Sequence, residues 1–126
     1  MFNFKHNSFS ALKKQSGNTF STFVQKVLCE TEELVQTFDG KDVVLFVTDK
    51  RLIFLNFAAE HNATEDFFFV PYSRIRLYSA NLSAQSFQKS TIHLQIPDTD
   101  VVSLEFTYNS DAENLCRLLA QFSQNI

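Results

Sequence analysis

The chain has 126 residues, 44% hydrophobic and 20% charged, with a net charge of −3. That length accommodates one domain with one core, and the composition is that of an ordinary globular protein rather than a disordered or fibrous one. Residues 1–29 carry Lys5, Lys13, Lys14 and Lys26 with no acid, whereas the remainder sets seven basic residues against fourteen acidic ones, so the body lacks the clustered Lys and Arg that nucleic acid requires.

Residues 1–17 are polar with scattered Phe and end at Gly17; they are expected to form an N-terminal arm, loose or carrying a short helix around Ser8–Gln15. Phe20, Phe23, Val24, Val27 and Leu28 then recur at helical spacing, which predicts an amphipathic helix over 18–30 capped by Asn18 or Thr19. Its stripe has two possible seats, the domain's own barrel or a neighbouring subunit. From Leu34 the period changes to two. A first strand runs to Phe38, ending at Asp39-Gly40, and Val43–Thr48 and Arg51–Asn56 form a hairpin with one buried face. Ala58–Asp66 reads as an exposed loop. Phe67–Val70 is a short strand that Pro71 stops, since proline cannot donate to a ladder. Ile75–Ala80 reads as a fifth strand, followed by a polar connection holding Phe87. Ile92, Leu94 and Ile96 alternate with polar neighbours in a sixth, and Val102, Leu104, Phe106 and Tyr108 do so in a seventh, after a turn begun by Pro97. A last helix starts at the capping-box pattern Ser110–Glu113 and buries Ala112, Leu115, Leu118, Leu119 and Phe122.

This order predicts a mainly β fold with helices: a seven-stranded antiparallel barrel or sandwich over 31–126, capped by the C-terminal helix. The N-terminal helix packs into the same folded unit. Fifteen Phe and no Trp are many rings for so small a core. The surplus is expected at an interface, with Phe20, Phe23, Phe67, Phe69 and Phe87 as the candidates.

The segments VLFVTDKRLIFLN and FFFVPYSRI resemble the bacterial pleckstrin-homology family, which carries a Thr-x-x-Arg-Leu-Ile hairpin and a later Pro-Tyr-x-x-Ile; related GRAM domains share a similar hairpin. The matching positions are Asp42, Thr48, Arg51, Leu52, Ile53, Pro71, Tyr72 and Ile75, with Glu105-Phe106 on a late strand. The likeness spans roughly residues 28–124. It departs where the family has a glycine-containing turn, here His61-Asn62-Ala63-Thr64, and where an acid often follows the Pro-Tyr strand, here Ser79-Ala80-Asn81. The resemblance implies a non-enzymatic binding or assembly module, often a ring-like homo-oligomer.

Pleckstrin-homology domains that hold inositol phosphates do so with basic residues on the first two strands and their loop. Here that loop is Asp39-Gly40-Lys41-Asp42, with two acids around one lysine, which disfavours an anionic headgroup. A second basic group, Lys50, Arg51, Arg74 and Arg76, offers an anion-binding patch, with Arg74 and Arg76 on one strand face by period two. The plainer reading is a solvated face on which Arg51 pairs with Asp42 or Asp49. His6, His61 and His93 are too dispersed for a metal set. Cys29 and Cys116 lack paired spacing and read as buried free thiols. No glycine-rich loop or serine elbow is present, so neither enzyme chemistry nor a cofactor is expected. With no signal-peptide pattern and no spanning apolar run, the expectation is a cytoplasmic protein acting through protein partners, chiefly copies of itself. The alternative is a peripheral membrane or anionic-lipid binder, with the Phe- and Lys-bearing arm making weak membrane contact.

Overall fold

The structure, a computed structural model, describes residues 8–15, 20–56, 66–83 and 89–123. Eight strands and two helices follow in the order β1 (Ser8–Lys14), α1 (Ser21–Gln25), β2 (Leu34–Gly40), β3 (Val43–Thr48), β4 (Arg51–Asn56), β5 (Asp66–Pro71), β6 (Leu77–Asn81), β7 (Ser90–Gln95), β8 (Val102–Phe106) and α2 (Asn109–Ser123), with a 3-10 turn at Tyr72–Arg74. The strands form one curled sheet in the spatial order β5-β4-β3-β2-β1-β8-β7-β6. It is mainly β and closed on one side by α2, as the alternation from Leu34 onward requires.

The arm is the first correction. Residues 8–14 are neither loose nor helical: they form the central strand β1. Lys13 and Lys14 pair antiparallel with Asp39 and Phe38 of β2, while Ser8, Phe9 and Leu12 pair parallel with β8. The expected seven strands are therefore eight, and one pairing is parallel. The register shifts between Phe9 and Leu12, and Ala11 sits there at φ 61°. That single left-handed residue bends the strand from one half of the sheet into the other, at a cost a Cβ normally avoids. Because the bend breaks alternation, no period-two signal survives in SFSALKK.

Gly40 is the other half of this crossing. A Cβ on it would lie 2.7 Å from Ser10 O and 2.8 Å from Leu12 Cδ2, so β1 lies against a bare backbone. Lys41 N donates to Ser10 O at 3.0 Å.

The β3–β4 hairpin is buried on both faces, not one. Val43, Leu45, Val47, Leu52 and Phe54 point into the main core with Leu12, Phe38, Ile92, Leu94, Leu104 and Phe106 and with Ala112, Leu115 and Leu119 of α2. Val44, Phe46, Ile53 and Leu55 point the other way into a second cluster, under Val24 with Phe20, Phe23, Val27, Leu28, Phe67 and Phe69 packed against it. The amphipathic stripe thus takes the intramolecular seat. Two clusters give the rings room: no described Phe is exposed, and Phe20, Phe23, Phe67 and Phe69 are half-buried. Phe87 lies outside the described residues.

Other differences are local. The helix expected over 18–30 is the short α1, because the Val27 carbonyl and the Cys29 N–H are taken by side chains described below. Cys29 is exposed and Cys116 half-buried, both as free thiols. At the start of α2, Glu113 Oε2 accepts from Asn109 Nδ2 at 3.0 Å in place of the Ser110 pairing, and buried Asp111 accepts from Lys14 N at 2.9 Å, fastening the helix to β1.

Candidate functional site

Three of the residues that carried the family resemblance, Thr48, Arg51 and Tyr72, converge on one knot at the β3–β4 turn. Glu32 enters beneath α1 with its side chain wholly inaccessible. Arg51 donates to it twice, Nε to Oε2 at 2.9 Å and Nη2 to Oε1 at 3.0 Å, and Nη2 also reaches Val27 O at 2.8 Å. Thr48 Oγ1 donates to Glu32 Oε2 at 2.6 Å, and Cys29 N to Oε1 at 3.2 Å. Oγ1 of Thr48 accepts from the Lys50 and Arg51 N–H groups, closing the turn. The Arg51 guanidinium lies 4.6 Å from the centroid of the Phe69 ring, an attractive placement for a cation.

Burial pushes the Glu32 carboxyl upward, but the hydrogen bonds from Arg51, Thr48 and Cys29 and the Arg51 charge outweigh it. The net effect holds the carboxyl below the ordinary glutamate range. Tyr72 completes the knot. Its hydroxyl donates to Thr48 O at 2.6 Å, and its ring stacks on Phe122 of α2 at 5.7 Å. Burial, and then the charges of Asp49 and Glu32, raise its phenol above the usual tyrosine value.

These signature positions therefore act on the fold. Arg51 is paired, though to Glu32 rather than to Asp42 or Asp49. Glu32 escapes a sequence reading because it stands in the acidic run Glu30-Thr31-Glu32-Glu33, where nothing distinguishes the one carboxylate that turns inward.

The other basic candidates are dispersed over separate elements. Lys50 is exposed in the turn, Arg74 is exposed in the 3-10 segment, and Arg76 is exposed just before β6 with its N–H on Gln95 O. The expected strand Ile75–Ala80 starts only at Leu77, so Arg74 and Arg76 do not share a strand face. His93 Nδ1 is 3.0 Å from Ser103 Oγ. It points away from the core face of β7, whereas Cys116 packs against the core, so no Cys–His pair is assembled there. His6 and His61 lie outside the described residues. Among those described, no group of His, Cys, Asp and Glu has a metal-binding arrangement, and no helix is long and apolar enough to cross a membrane.

The sheet's two margins differ. β5 begins at Asp66, ends at Pro71 and keeps its Phe side chains half-buried, features that blunt an edge. β6, Leu77-Tyr78-Ser79-Ala80-Asn81, is uncharged, has no proline, and pairs with β7 in unbroken register, with no second partner strand among the described residues. Leu77 is 63% exposed and Leu82, just beyond, 44%. Sequence reasoning missed this strip because its outward residues mix Leu, Ser and Asn, so its only signal is the absence of a charge.

No protein-family model and no curated protein matches this chain. Solved structures do. A DUF1696 family protein with a pleckstrin-homology domain from Shewanella loihica PV-4 superposes at TM-score 0.76 with 16% identity, over 90% of this chain and 98% of its own. A pleckstrin-homology domain from Shewanella amazonensis SB2B gives TM-score 0.65 and 15% identity over 86% and 89%. A pleckstrin-homology-domain-containing bacterial protein from Exiguobacterium sibiricum 255-15 gives 0.66 and 13% over 90% and 62%. With the curled sheet, the capping helix and the Thr48–Arg51–Tyr72 knot in place, the chain has the fold of the bacterial pleckstrin-homology domains.

Proposed function

We propose that this protein is a non-enzymatic binding and assembly module that works through protein–protein contact, pairing with a second copy of itself along β6. The supporting observation is the margin of the sheet: an extended, uncharged strand whose outer edge meets no other strand among the described residues, and which starts at exposed Leu77. Such an edge is a template for another strand. A twofold axis through β6 would place each residue against another of the same short segment, and a strand without charge meets no like-charge repulsion there. Anionic-lipid binding has less support, because Arg51, one of its four candidate cations, is already neutralised by Glu32.

Light scattering after gel filtration tests the proposal. At micromolar concentration the expected mass is a multiple of 14.5 kDa. The double variant Leu77→Lys/Ala80→Lys should return it to the monomer value. A wild-type monomer refutes self-association, and a lysine variant of unchanged mass refutes β6 as its seam.

A further inference from the structure

The sheet does not close on itself, and its open seam holds a cleft of about 260 Å³ lined by Phe69, Val70 and Pro71 of β5, by Arg74, and by Ile96 and Pro97 after β7. β5, one margin of the sheet, ends at Pro71, which has no N–H with which to extend a ladder, and Pro97 follows Ile96 just beyond β7. Pro97 also starts a tight turn, Thr99 N to Ile96 O at 3.3 Å with Asp98 at φ 67°. The cleft therefore opens directly onto the core, since Val70 and Ile96 are 2% and 6% exposed and belong to the main cluster.

Among the described lining residues Arg74 alone has a polar side chain. Arg74 is exposed and makes no hydrogen bond or ion pair with any described residue, unlike Arg51 nearby in the chain's basic set, which is fully engaged. An apolar cleft lined by one exposed arginine suits a ligand with an aliphatic body and one planar anionic head, because guanidinium and carboxylate meet as a two-pronged pair. The volume lies just under the range of about 300 Å³ and upward that holds drug-sized molecules, so the body must be short. One cation in a chain of net charge −3 offers little to a polyphosphate. We infer that the seam cleft is a binding site for a short-chain aliphatic monocarboxylate, its tail against Val70 and Ile96 and its head on Arg74. None of these lining residues belongs to β6, although the cleft adjoins Leu77 through Gln95, its partner on β7.

Amide shift mapping with sodium octanoate tests it, with 1-octanol and octylamine as neutral and cationic controls. Octanoate should shift the amides of Phe69, Val70, Arg74 and Ile96 in a saturable way, at a dissociation constant on the order of 1 mM. Arg74→Gln, a change at an exposed side chain, should weaken binding by about tenfold or more without altering the spectrum of the free protein elsewhere. Equal affinity for octanol, shifts centred away from the cleft, full affinity in Arg74→Gln, or no saturation by about 10 mM would each overturn the assignment.

Discussion

Removing the charge of Glu32 perturbs the turn that Thr48 and Arg51 share. Glu32→Gln keeps the shape of the side chain but loses the charge-assisted character of its bonds to Arg51, and places an amide N–H₂ where an acceptor is needed. Breaking a fully buried ion pair costs about 3–5 kcal/mol. The Arg51 side chain is 24% exposed and keeps Val27 O, so it relaxes toward water, and the expected loss falls to about 2 kcal/mol. For a chain of this length that lowers the melting temperature by roughly 6–10 °C. Arg51→Met should cost more, about 3–4 kcal/mol, because it strands a carboxylate with no access to solvent. The double variant should lose less than the sum of the two, by about 1.5 kcal/mol or more. The pH dependence has a definite sign. Because the folded-state value of Glu32 lies below the ordinary one, its contribution is complete above the unfolded value of about 4.3 and is lost as pH falls through the folded value. The gap between wild type and Glu32→Gln should therefore close on acidification. Urea denaturation of the four proteins at neutral and acid pH measures all of this. Losses under about 0.5 kcal/mol, or strictly additive ones, would show that the knot does not hold the turn.

Other consequences follow from the bend and the buried helix. Gly40→Ala drives a Cβ against the Ser10 carbonyl and should cost about 2 kcal/mol in urea denaturation; an unchanged midpoint would mean that β1 does not lie against it. Ala11→Gly relieves a left-handed conformation worth about 1–2 kcal/mol, less the entropy of glycine, and should stabilise slightly, whereas Ala11→Val should destabilise. Movement of both midpoints in the same direction would contradict the bend. Burial and then the Glu113 charge raise the Cys116 thiol, which Arg117 only partly offsets. Disulfide-exchange labelling of native protein should therefore modify exposed Cys29 first, with Cys116 slower by about tenfold or more; equal rates would refute the packing of α2.

Much of this architecture is legible in the residues. The alternation in β7 and β8 as far as Phe106 and the apolar stripe of α2 place the correct side chains in the core, because a regular element with one wet face writes its period into the sequence; Tyr108, beyond the end of β8, is exposed instead. The failures occur where that condition lapses. β3 and β4 have no wet face, so VVLFVT and RLIFLN show burial without revealing that two different clusters claim alternate residues. β1 changes sides at Ala11 and scrambles its own alternation. Of the candidate site, Thr48, Arg51 and Tyr72 stand out by motif, but their partner Glu32 is identified only by the path of the backbone after α1. Ring count likewise reveals nothing of the second cluster against which Phe20, Phe23, Phe67 and Phe69 pack.

The placement of β1 has a bearing on synthesis and on handling. β1 lies in the middle of the sheet, shoulder to shoulder with β8, some ninety-five residues further along the chain, as Ser8 opposite Ser103 records. The β1–β8 pairing must wait until β8 is available, and that step is a long-range one of the kind that slows β proteins. Trimming the chain to begin near Gln15 would not tidy a ragged end. It would pull out the keystone of the sheet and leave β2 and β8 each with a bare flank.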